Sequence, residues 1–384
     1  MTAPDAGLLP PGRAYRSELH DQRVAAVLGI ALGLTFTTCF VTGLLSHLIQ
    51  HPTAWFTWPS RPAGLYRFTQ GLHVASGIVS IPPLLAKLWV VAPRFWASPP
   101  VRGVAHAVER AMLLPLVGGG VFLLVTGLFN TYQWYPWQFS FVRAHHAVAY
   151  VAIGGLVGHI GANFAVTRAA LADRASPRAE LAAEATGPDR RAFLGGTAAA
   201  VGVVTLATVG QTFRPLHAVS VLAPRDPTVG PQGLPVNRTA AAARITDDLV
   251  GPAYRLVVRG RVAQELSLTV EDLRALPQHA ATLPIACVEG WSASARWSGV
   301  RLRDLLARAG AAEDATVEVR SLQSRGHYGS SEVAPNVAAD RDTLLALDLR
   351  GEPLHPDHGY PVRLIAPNRP GVLQTKWIHE VVVR

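Results

Sequence analysis

The chain has 384 residues, of which 49% are hydrophobic and only 16% are charged. These proportions argue against a single soluble domain and are typical of a chain that combines membrane helices with a globular domain. The formal charge of +9 comes almost wholly from arginine, since Lys87 and Lys376 are the only lysines. In such a chain an arginine excess indicates membrane topology, so we expect lipid contacts and no nucleic-acid partner. The two cysteines, Cys39 and Cys287, lie in unlike settings and do not indicate a disulfide framework.

Four apolar segments follow one another in the N-terminal half, and each is long enough to cross a bilayer. The first runs from Val24 to about Leu48 without a charge, and as a helix it would be about 37 Å long. The other three cover about 68–93, which Pro82-Pro83 interrupts, 111–130 and 144–167. Aromatic loops follow the first and the third segments, as is typical of residues at a membrane interface. The sequence therefore predicts an all-α bundle of four membrane helices over 24–170.

Arginines in the connecting segments predict the orientation of this bundle. Residues 1–23, 94–109 and 168–191 hold ten arginines, whereas the alternating loops hold only Arg61, Arg67 and Arg143. The positive-inside rule then makes the tail 1–23 and the linker 171–189 cytoplasmic, with the aromatic loops outside. We expect a multi-pass protein of the bacterial plasma membrane.

A fifth apolar segment covers 190–212 and begins with the twin arginines Arg190-Arg191, followed by Phe193-Leu194. The pattern resembles a Tat signal, here internal and retained as an anchor helix. A simple fifth membrane helix with cytoplasmic arginines is the alternative. The Tat route would suit a domain that folds around its cofactor before export, so residues 216–384 are expected to be extracytoplasmic.

Histidines lie within the apolar segments, where an imidazole needs a partner and a functional role is the first hypothesis. His73 and His145 would both lie about a turn below the outer face and suit axial ligation of a b-type haem. His159 follows His145 by 14 residues, about 21 Å along a helix, and could bind a second haem with His106. The arrangement resembles small membrane cytochromes b. Histidines hydrogen-bonded between helices are the alternative, and His20, His47 and His146 are substitute ligands.

Residues 216–384 form one domain by size, and their pattern predicts a mostly β, mixed α+β fold. Segments 254–259 and 317–320 alternate like half-buried strands. Thr269 and Asp272 form a capping box that predicts a helix to Leu276, and a second helix is predicted over 300–309. Cys287 closes an apolar strand and opens a turn, a position from which its sulfur can face a pocket. A buried free cysteine is the alternative.

The run CVEGWSASARWSGVRLRDLL, which starts at Cys287, resembles the molybdenum-ligand motif of the sulfite-oxidase fold. The likeness is strongest to periplasmic methionine-sulfoxide-reductase catalytic subunits. Segments 234–238, 357–363 and 376–377 fall in the order and spacing of the same fold. The resemblance covers about 216–384 and implies a molybdopterin-dependent oxidoreductase in which the thiolate of Cys287 binds molybdenum.

The resemblance also implies further site residues. Arg363 and Lys376 match the cations that bind the cofactor phosphate. The positions that resemble pterin contacts are Asn237, Arg238, Ser321, His358, Gln374 and Thr375. Arg296, His327 and Tyr328 would line the substrate mouth beside Cys287. Residues 368–373 depart from the glycine-rich basic stretch of the family, so the phosphate contacts would differ.

The sequence as a whole predicts a multidomain chain, with four membrane helices and a Tat-like anchor helix followed by the molybdopterin domain. Its function would be oxygen-atom transfer on a small S- or N-oxo type substrate. Molybdopterin and one or two b-type haems would be the cofactors, and quinone or another carrier would exchange electrons. One alternative is a haem-only electron-transfer or docking protein with a degenerate molybdopterin domain. Another is a cofactor-bearing binding or sensory module without turnover.

Overall fold

The computed structural model describes residues 19–95, 101, 103–172, 189–324, 326 and 328–384. Internal contacts divide the chain into two units. The first comprises Met1–Val41 and His73–Ala207, as far as these are described, and the second comprises Thr42–Leu72 and Thr208–Arg384. Most of the predicted tail 1–23 and linker 171–189 lies outside the described residues. The second unit thus contains a segment from between the first two predicted membrane helices.

Long apolar helices make up the first unit, and three of them lie partly in the second. The helices are α1 (Gln22–Gln50), α2 (Leu65–Val79), α3 (Ile81–Phe95), α4 (Val104–Leu113), α5 (Gly119–Thr131), α6 (Phe141–Ala172) and α7 (Arg190–Thr208). A π-helical turn, Leu114–Gly118, joins α4 to α5. Pro82 and Pro83 lie in the first turn of α3, where a missing N–H costs no helical hydrogen bond.

Five helical stretches of the described residues are long and apolar enough to cross a membrane. They are Gln22–Gln50, Leu65–Arg94, His106–Thr131, Phe141–Ala172 and Arg190–Gln211. Each predicted apolar segment is therefore helical. The third stretch begins five residues before the predicted 111, because the helix accommodates Glu109 and Arg110, which the charge-free criterion had excluded.

Two five-stranded sheets form most of the second unit. The strands are β1 (Leu256–Gly260), β2 (Leu266–Leu268), β3 (His279–Ala286), β4 (Ser292–Arg301), β5 (Val317–Ser321), β6 (Ser330–Val333), β7 (Leu344–Leu349), β8 (Glu352–Pro353), β9 (Arg363–Ile365) and β10 (Ile378–Val383). One sheet has the order β2-β1-β10-β5-β6, with β1 and β10 parallel. In the other sheet β3 pairs with β4, β4 with β7, and both β8 and β9 pair with β7.

Short helices connect the strands of this unit. They are α8 (Ala240–Ala243), α9 (Asp247–Val250), α10 (Val270–Ala275), α11 (Leu302–Arg308) and α12 (Pro335–Ala338). The capping box of Thr269 and Asp272 is present at the start of α10, as predicted. The prediction that the next helix begins at Val300 was wrong by two residues. Val300 and Arg301 instead end β4, because their backbones pair with Leu345 and Leu344 of β7.

The main apolar core of the second unit is formed by residues of the first sheet, of α11 and of the second sheet. Leu256, Val258, Leu305 and Val317 belong to it, and each is completely buried. A second cluster surrounds the end of β3 and includes Trp297, also completely buried. This second cluster also includes Leu283, Ile285 and Cys287, so it packs the end of β3 that leads into the cysteine turn.

Replacement of Leu305 by alanine tests this core. Leu305→Ala removes a fully buried side chain and leaves a cavity, so we expect unfolding to become easier by roughly 2–5 kcal/mol. Thermal unfolding of the detergent-purified protein measures the loss, with Arg303→Ala, a change to an exposed residue on the same helix, as the control. Equal melting temperatures for the two variants would contradict the assignment of Leu305 to the core.

Candidate active site

A tight turn holds Cys287 at the end of β3. The strand ends at Ala286, and the backbone N–H of Cys287 donates to Trp291 O at 2.9 Å. The N–H of Gly290 donates to Cys287 O at 3.0 Å, which closes a β-turn over 287–290. Gly290 has a φ of 96°, a left-handed backbone that favours glycine. The prediction of a cysteine at a strand end, opening a turn, is confirmed.

The sulfur of Cys287 is buried and receives one side-chain hydrogen bond. Cys287 is 4% exposed, and the Nδ2 of Asn237 donates to its Sγ at 3.0 Å. The Oδ1 of the same amide accepts from Trp291 Nε1 at 3.3 Å, which fixes the direction of the amide. Burial raises the pKa of the Cys287 thiol, and the nearby Glu289 carboxylate raises it further. A thiolate at this position therefore needs a positive charge against it, such as a metal ion.

Two cations lie in the same part of the second unit. The Nζ of Lys376 donates to Arg238 O at 2.9 Å and to Asp357 O at 2.7 Å. Arg363 is 4% exposed, and its guanidinium donates to His358 O at 3.2 Å and lies 5.4 Å from the centre of the Trp297 ring.

Neither Arg363 nor Lys376 forms an ion pair with another described residue. Burial lowers the pKa of Arg363 to about 9, so the guanidinium is still charged at neutral pH. Burial and then the Arg363 charge lower the pKa of Lys376 to about 7. The Nε of Arg363 is buried and lacks a hydrogen-bond partner in the described part of the chain. Buried positive charge without a carboxylate partner suits an anionic ligand.

Several predicted cofactor residues lie together around these cations. Lys376 joins the segments of Asn237-Arg238 and Asp357-His358 through its two carbonyl partners. The His358 ring is buried, and its Nε2–H donates to Pro231 O at 2.7 Å. Burial lowers the pKa of His358 to about 4, so the ring is neutral and its Nδ1 is an acceptor.

Three predicted pterin contacts already have protein partners. Gln374 uses both ends of its amide on Ala366, with distances of 2.8 Å to the N–H and 2.9 Å to the carbonyl. The Thr375 and Ser331 hydroxyls are 2.7 Å apart. The Ser321 hydroxyl accepts from the N–H of Gln323 at 3.1 Å. These groups support the neighbouring loops, and their contact with a cofactor remains a prediction.

The residues predicted for the substrate mouth do not all lie near Cys287. Burial and then Cys287 raise the pKa of Tyr328, a partly exposed residue, so its phenol is protonated and electrostatically close to the sulfur. Arg296 is exposed on β4, opposite Thr282, five residues before Cys287 and about 17 Å away along the strand. Side chains alternate along β4, and the neighbours Ala295 and Trp297 are buried. Arg296 therefore lies on the exposed face of the strand, away from the turn. His327 lies outside the described residues.

Sequence reasoning missed contacts made by the segment 42–72. The Nε2 of Gln70 donates to Val288 O, next to the cysteine, at 2.8 Å. Tyr66 and Phe56 pack with Ala286, the residue before the cysteine. No local pattern could have indicated this, since 218 residues separate Gln70 from its partner.

Within the first unit, His73 and His145 lie close together. Their ring centres are 6.2 Å apart, with the planes at 69°. Two imidazoles that bind one metal ion from opposite sides have centres about 6 Å apart, since each metal–nitrogen bond is about 2 Å long. The Nδ1 of His73 is 2.9 Å from Cys39 O, and that of His145 is 3.0 Å from Thr126 Oγ1. Both Nε2 atoms are therefore suited to ligation.

The second predicted pair is placed differently. His159 lies on α6, and its Nδ1 is 3.3 Å from the Nδ2 of Asn163 on the same helix. An amide that donates to Nδ1 leaves the proton on Nε2, a tautomer that does not bind a metal ion through Nε2. His106 lies on α4 and is partly exposed. Ligation of a second haem by this pair remains a prediction.

The fold and this site resemble those of a molybdopterin-binding oxidoreductase domain of the sulfite-oxidase type. Residues 243–384 match the family model described as the oxidoreductase molybdopterin binding domain. The residues present fit that cofactor, because a buried thiol, an amide donor to it and two buried cations that form no ion pair within the described part of the chain occur together.

Curated relatives resemble the same part of the chain. The mitochondrial sulfite oxidase of Drosophila melanogaster is 34% identical over 155 residues, which cover 34% of this chain and 27% of that protein. YedZ1 of Azospira oryzae, provisionally named a protein-methionine-sulfoxide reductase subunit, is 34% identical over 131 residues, or 34% of this chain and 49% of that protein. The NAD(P)H nitrate reductase of Hordeum vulgare is 45% identical over 97 residues, or 23% of this chain and 11% of that protein. The chain therefore spans half or less of the length of these relatives.

The lowered pKa of Lys376 predicts a pH dependence of stability in the cofactor-free protein. The pKa is about 7 in the folded protein and about 10.5 ordinarily, so between these values the unfolded chain binds more protons. Stability contributed by Lys376 then rises with pH across this window, by up to roughly 1.4 kcal/mol for each step of one pH unit.

Melting temperatures measured from pH 7 to 8.5 check this effect. The protein should gain stability relative to Lys376→Met as the pH rises, because the variant lacks the titrating group. Comparison with the variant cancels the titration of other groups, including Cys287. Parallel curves for the two proteins would show that Lys376 keeps its ordinary pKa.

Proposed function

We propose that the chain is a membrane-bound molybdenum oxidoreductase that performs oxygen-atom transfer on a small S- or N-oxo type substrate. Electrons would pass through b-type haem in the helical unit, to or from quinone or another carrier. The observation that carries the proposal is the buried Cys287 sulfur with the Asn237 amide against it and with Lys376 electrostatically close. The names of the relatives include enzymes for sulfite and nitrate, which supports substrates with S–O or N–O bonds.

In this proposal each residue of the site has its own role in binding the cofactor or the substrate. Molybdenum held by the cofactor dithiolene and the Cys287 thiolate would supply two-electron oxygen-atom transfer. The Asn237 amide orients the sulfur and stabilises its negative charge through a hydrogen bond. Arg363 and Lys376 would bind the cofactor phosphate, and the neutral His358 ring would accept a hydrogen bond from the pterin. The protonated phenol of Tyr328 could donate to the substrate oxygen.

Electron and proton balance defines what the rest of the chain must supply. Reduction of an oxide consumes two electrons and two protons and releases water, and oxidation is the reverse. Because haem passes one electron at a time, the helical unit would deliver or remove the two electrons singly. The 6.2 Å separation of the His73 and His145 rings, with both Nδ1 atoms bonded, supports one haem between these residues.

Charge asymmetry supports the location of the protein. Five apolar helices and the arginine distribution favour a plasma-membrane protein whose molybdopterin domain is extracytoplasmic. The twin arginines at the start of α7 favour a Tat-type export route for that domain. Substrate, quinone and lipid would then be its partners, with no nucleic acid.

Metal analysis of a Cys287→Ala variant tests the molybdenum site. We expect the purified parent protein to contain molybdenum and haem, and the variant to lose nearly all molybdenum and oxidoreductase activity while it keeps its haem spectrum. The reason is that Cys287 is the thiolate ligand, whereas the haem ligands lie in the other unit. A Cys39→Ala variant is the matched control, since Cys39 is the only other cysteine. A parent protein without molybdenum, despite a host that makes the cofactor, would contradict the proposal.

A His145→Ala variant tests the haem ligands. The variant should lose the absorption of the haem between His73 and His145, because one axial bond is removed and the iron is no longer held from both sides. Its molybdenum content should stay unchanged. His146→Ala is the control, since that neighbouring ring contacts Tyr150, 5.0 Å away. Equal haem absorption in the two variants would show that His145 is not a ligand.

A further inference from the structure

The segment 42–72 lies against the cysteine turn through apolar contacts. Ile49, Phe56, Trp58 and Tyr66 form one cluster with Ala286, which immediately precedes Cys287. Tyr66 is 1% exposed and Ile49 is 7% exposed, so this contact is closed to water. Substrate must therefore approach the sulfur from another side of the turn.

Polar contacts fix the same segment to the rest of the second unit. The N–H of Tyr66 donates to the Oδ1 of Asn368 at 2.5 Å, and Trp58 Nε1 donates to the carbonyl of Asn368 at 3.1 Å. Arg61 forms ion pairs with Asp340 at 2.9 Å and with Asp342 at 2.5 Å. The segment thus has a defined position on this unit, from which its side chains can act on the turn.

A chain of hydrogen bonds leads from this segment to the turn itself. The hydroxyls of Ser46 and Tyr66 are 3.0 Å apart, and the Tyr66 hydroxyl donates to Gln70 Oε1 at 3.4 Å. Gln70 is 5% exposed, and its Nε2 donates to Val288 O at 2.8 Å. An amide held at its oxygen has its N–H₂ group directed at one acceptor, which here is the carbonyl next to the metal-binding cysteine.

A second contact reaches the turn beside the first. The hydroxyl of Thr212 donates to Gly290 O. Thr212 also packs so closely on Gly71 that an added Cβ would collide with its methyl group, and Gly71 follows Gln70 directly on α2. The carbonyls of both Val288 and Gly290 are therefore held by side chains from outside the turn.

We infer that Gln70 is a positioning residue for the metal-binding turn, and that the segment 42–72 is a working part of the molybdenum site. The inference rests on the proposed molybdenum site for its functional meaning. Gln70 acts through Val288: its amide fixes the Val288–Glu289 peptide, the second peptide after the cysteine within the turn, and thereby the direction of the sulfur. Loss of this hydrogen bond loosens the turn while the docking contacts of Trp58, Arg61 and Asn368 remain.

A matched pair of variants tests this inference. Gln70→Met keeps the length of the side chain and removes its donor. Arg67→Met is the control, because Arg67 lies on the same helix and also donates to a residue outside the segment, Ser294 Oγ at 3.2 Å, which lies beyond the turn on β4. The full-length protein is purified with molybdopterin, and the electron paramagnetic resonance signal of half-reduced molybdenum is recorded together with kcat and KM. The cofactor-free protein is treated with iodoacetamide, and alkylation of the Cys287 peptide is followed by mass spectrometry.

In Gln70→Met we expect a shifted or broadened molybdenum signal and a kcat lowered by about fivefold at most, with KM nearly unchanged. We also expect alkylation of Cys287 about fivefold faster in the cofactor-free variant. Arg67→Met should match the parent protein in every measurement. Thr212→Val removes the donor to Gly290 and should also speed alkylation of Cys287. This second variant provides the test if Gln70→Met is poorly folded.

Two results would overturn the inference. One is alkylation at the parent rate in both Gln70→Met and Thr212→Val, and the other is equal changes in Gln70→Met and Arg67→Met. A parent protein without molybdenum would contradict the proposed function but not the role of Gln70 in the turn. The alkylation rates would still decide whether Gln70 holds the turn.

Discussion

The second unit depends on the burial of one sulfur atom, which forms no ion pair with the described residues. Cys287 is 4% exposed, and the Asn237 amide is its side-chain donor. A thiolate in such surroundings is unfavourable unless a cation is bound directly to it. The turn over 287–290 cannot relieve this cost by moving the sulfur outward, because Gly290 and Trp291 close it by backbone hydrogen bonds. The geometry therefore fits the proposed metal–thiolate bond better than a reactive free thiol.

The cations of the site carry the opposite imbalance. Arg363 and Lys376 donate to backbone carbonyl oxygens, which accept hydrogen bonds but carry no net negative charge. Arg363 is fixed by β9, which pairs with β7, and Lys376 lies just before β10, so their positions come from both sheets. An anionic cofactor that binds the metal to the sulfur and its phosphate to the cations would resolve both imbalances at once. Binding of the cofactor would then stabilise the fold as well as supply the chemistry.

Local patterns were sufficient for part of the structure. The capping box at Thr269, the alternation of β1 and β5 and the position of Cys287 at a strand end all follow from neighbours in the chain. The start of α11 was misplaced, because the pairing of β4 with β7 is not visible in local residues and overrides helix propensity. A similar predicted depth in the membrane was enough to predict that His73 and His145 lie close together. The acceptors of their Nδ1 atoms, Cys39 O and Thr126, could not be read from sequence because they depend on helix rotation.

Contacts between distant segments could not be predicted, because they too depend on tertiary packing that is not visible in local residues. Gln70 is the clearest case. A buried glutamine on an apolar helix indicates a polar partner, but neither its identity nor its distance along the chain. Because the cost of closing a loop grows only slowly with its length, a covalent connection lets a segment dock through modest contacts. Each hydrogen bond of 42–72 contributes about 1 kcal/mol. Together with the packing of Ile49 and Tyr66, these bonds are enough to keep the segment in place, because its contacts are intramolecular. The end of α1 and the start of α2 belong to the second unit, so Gln70 reaches the Cys287 turn without any signature in the sequence around Cys287.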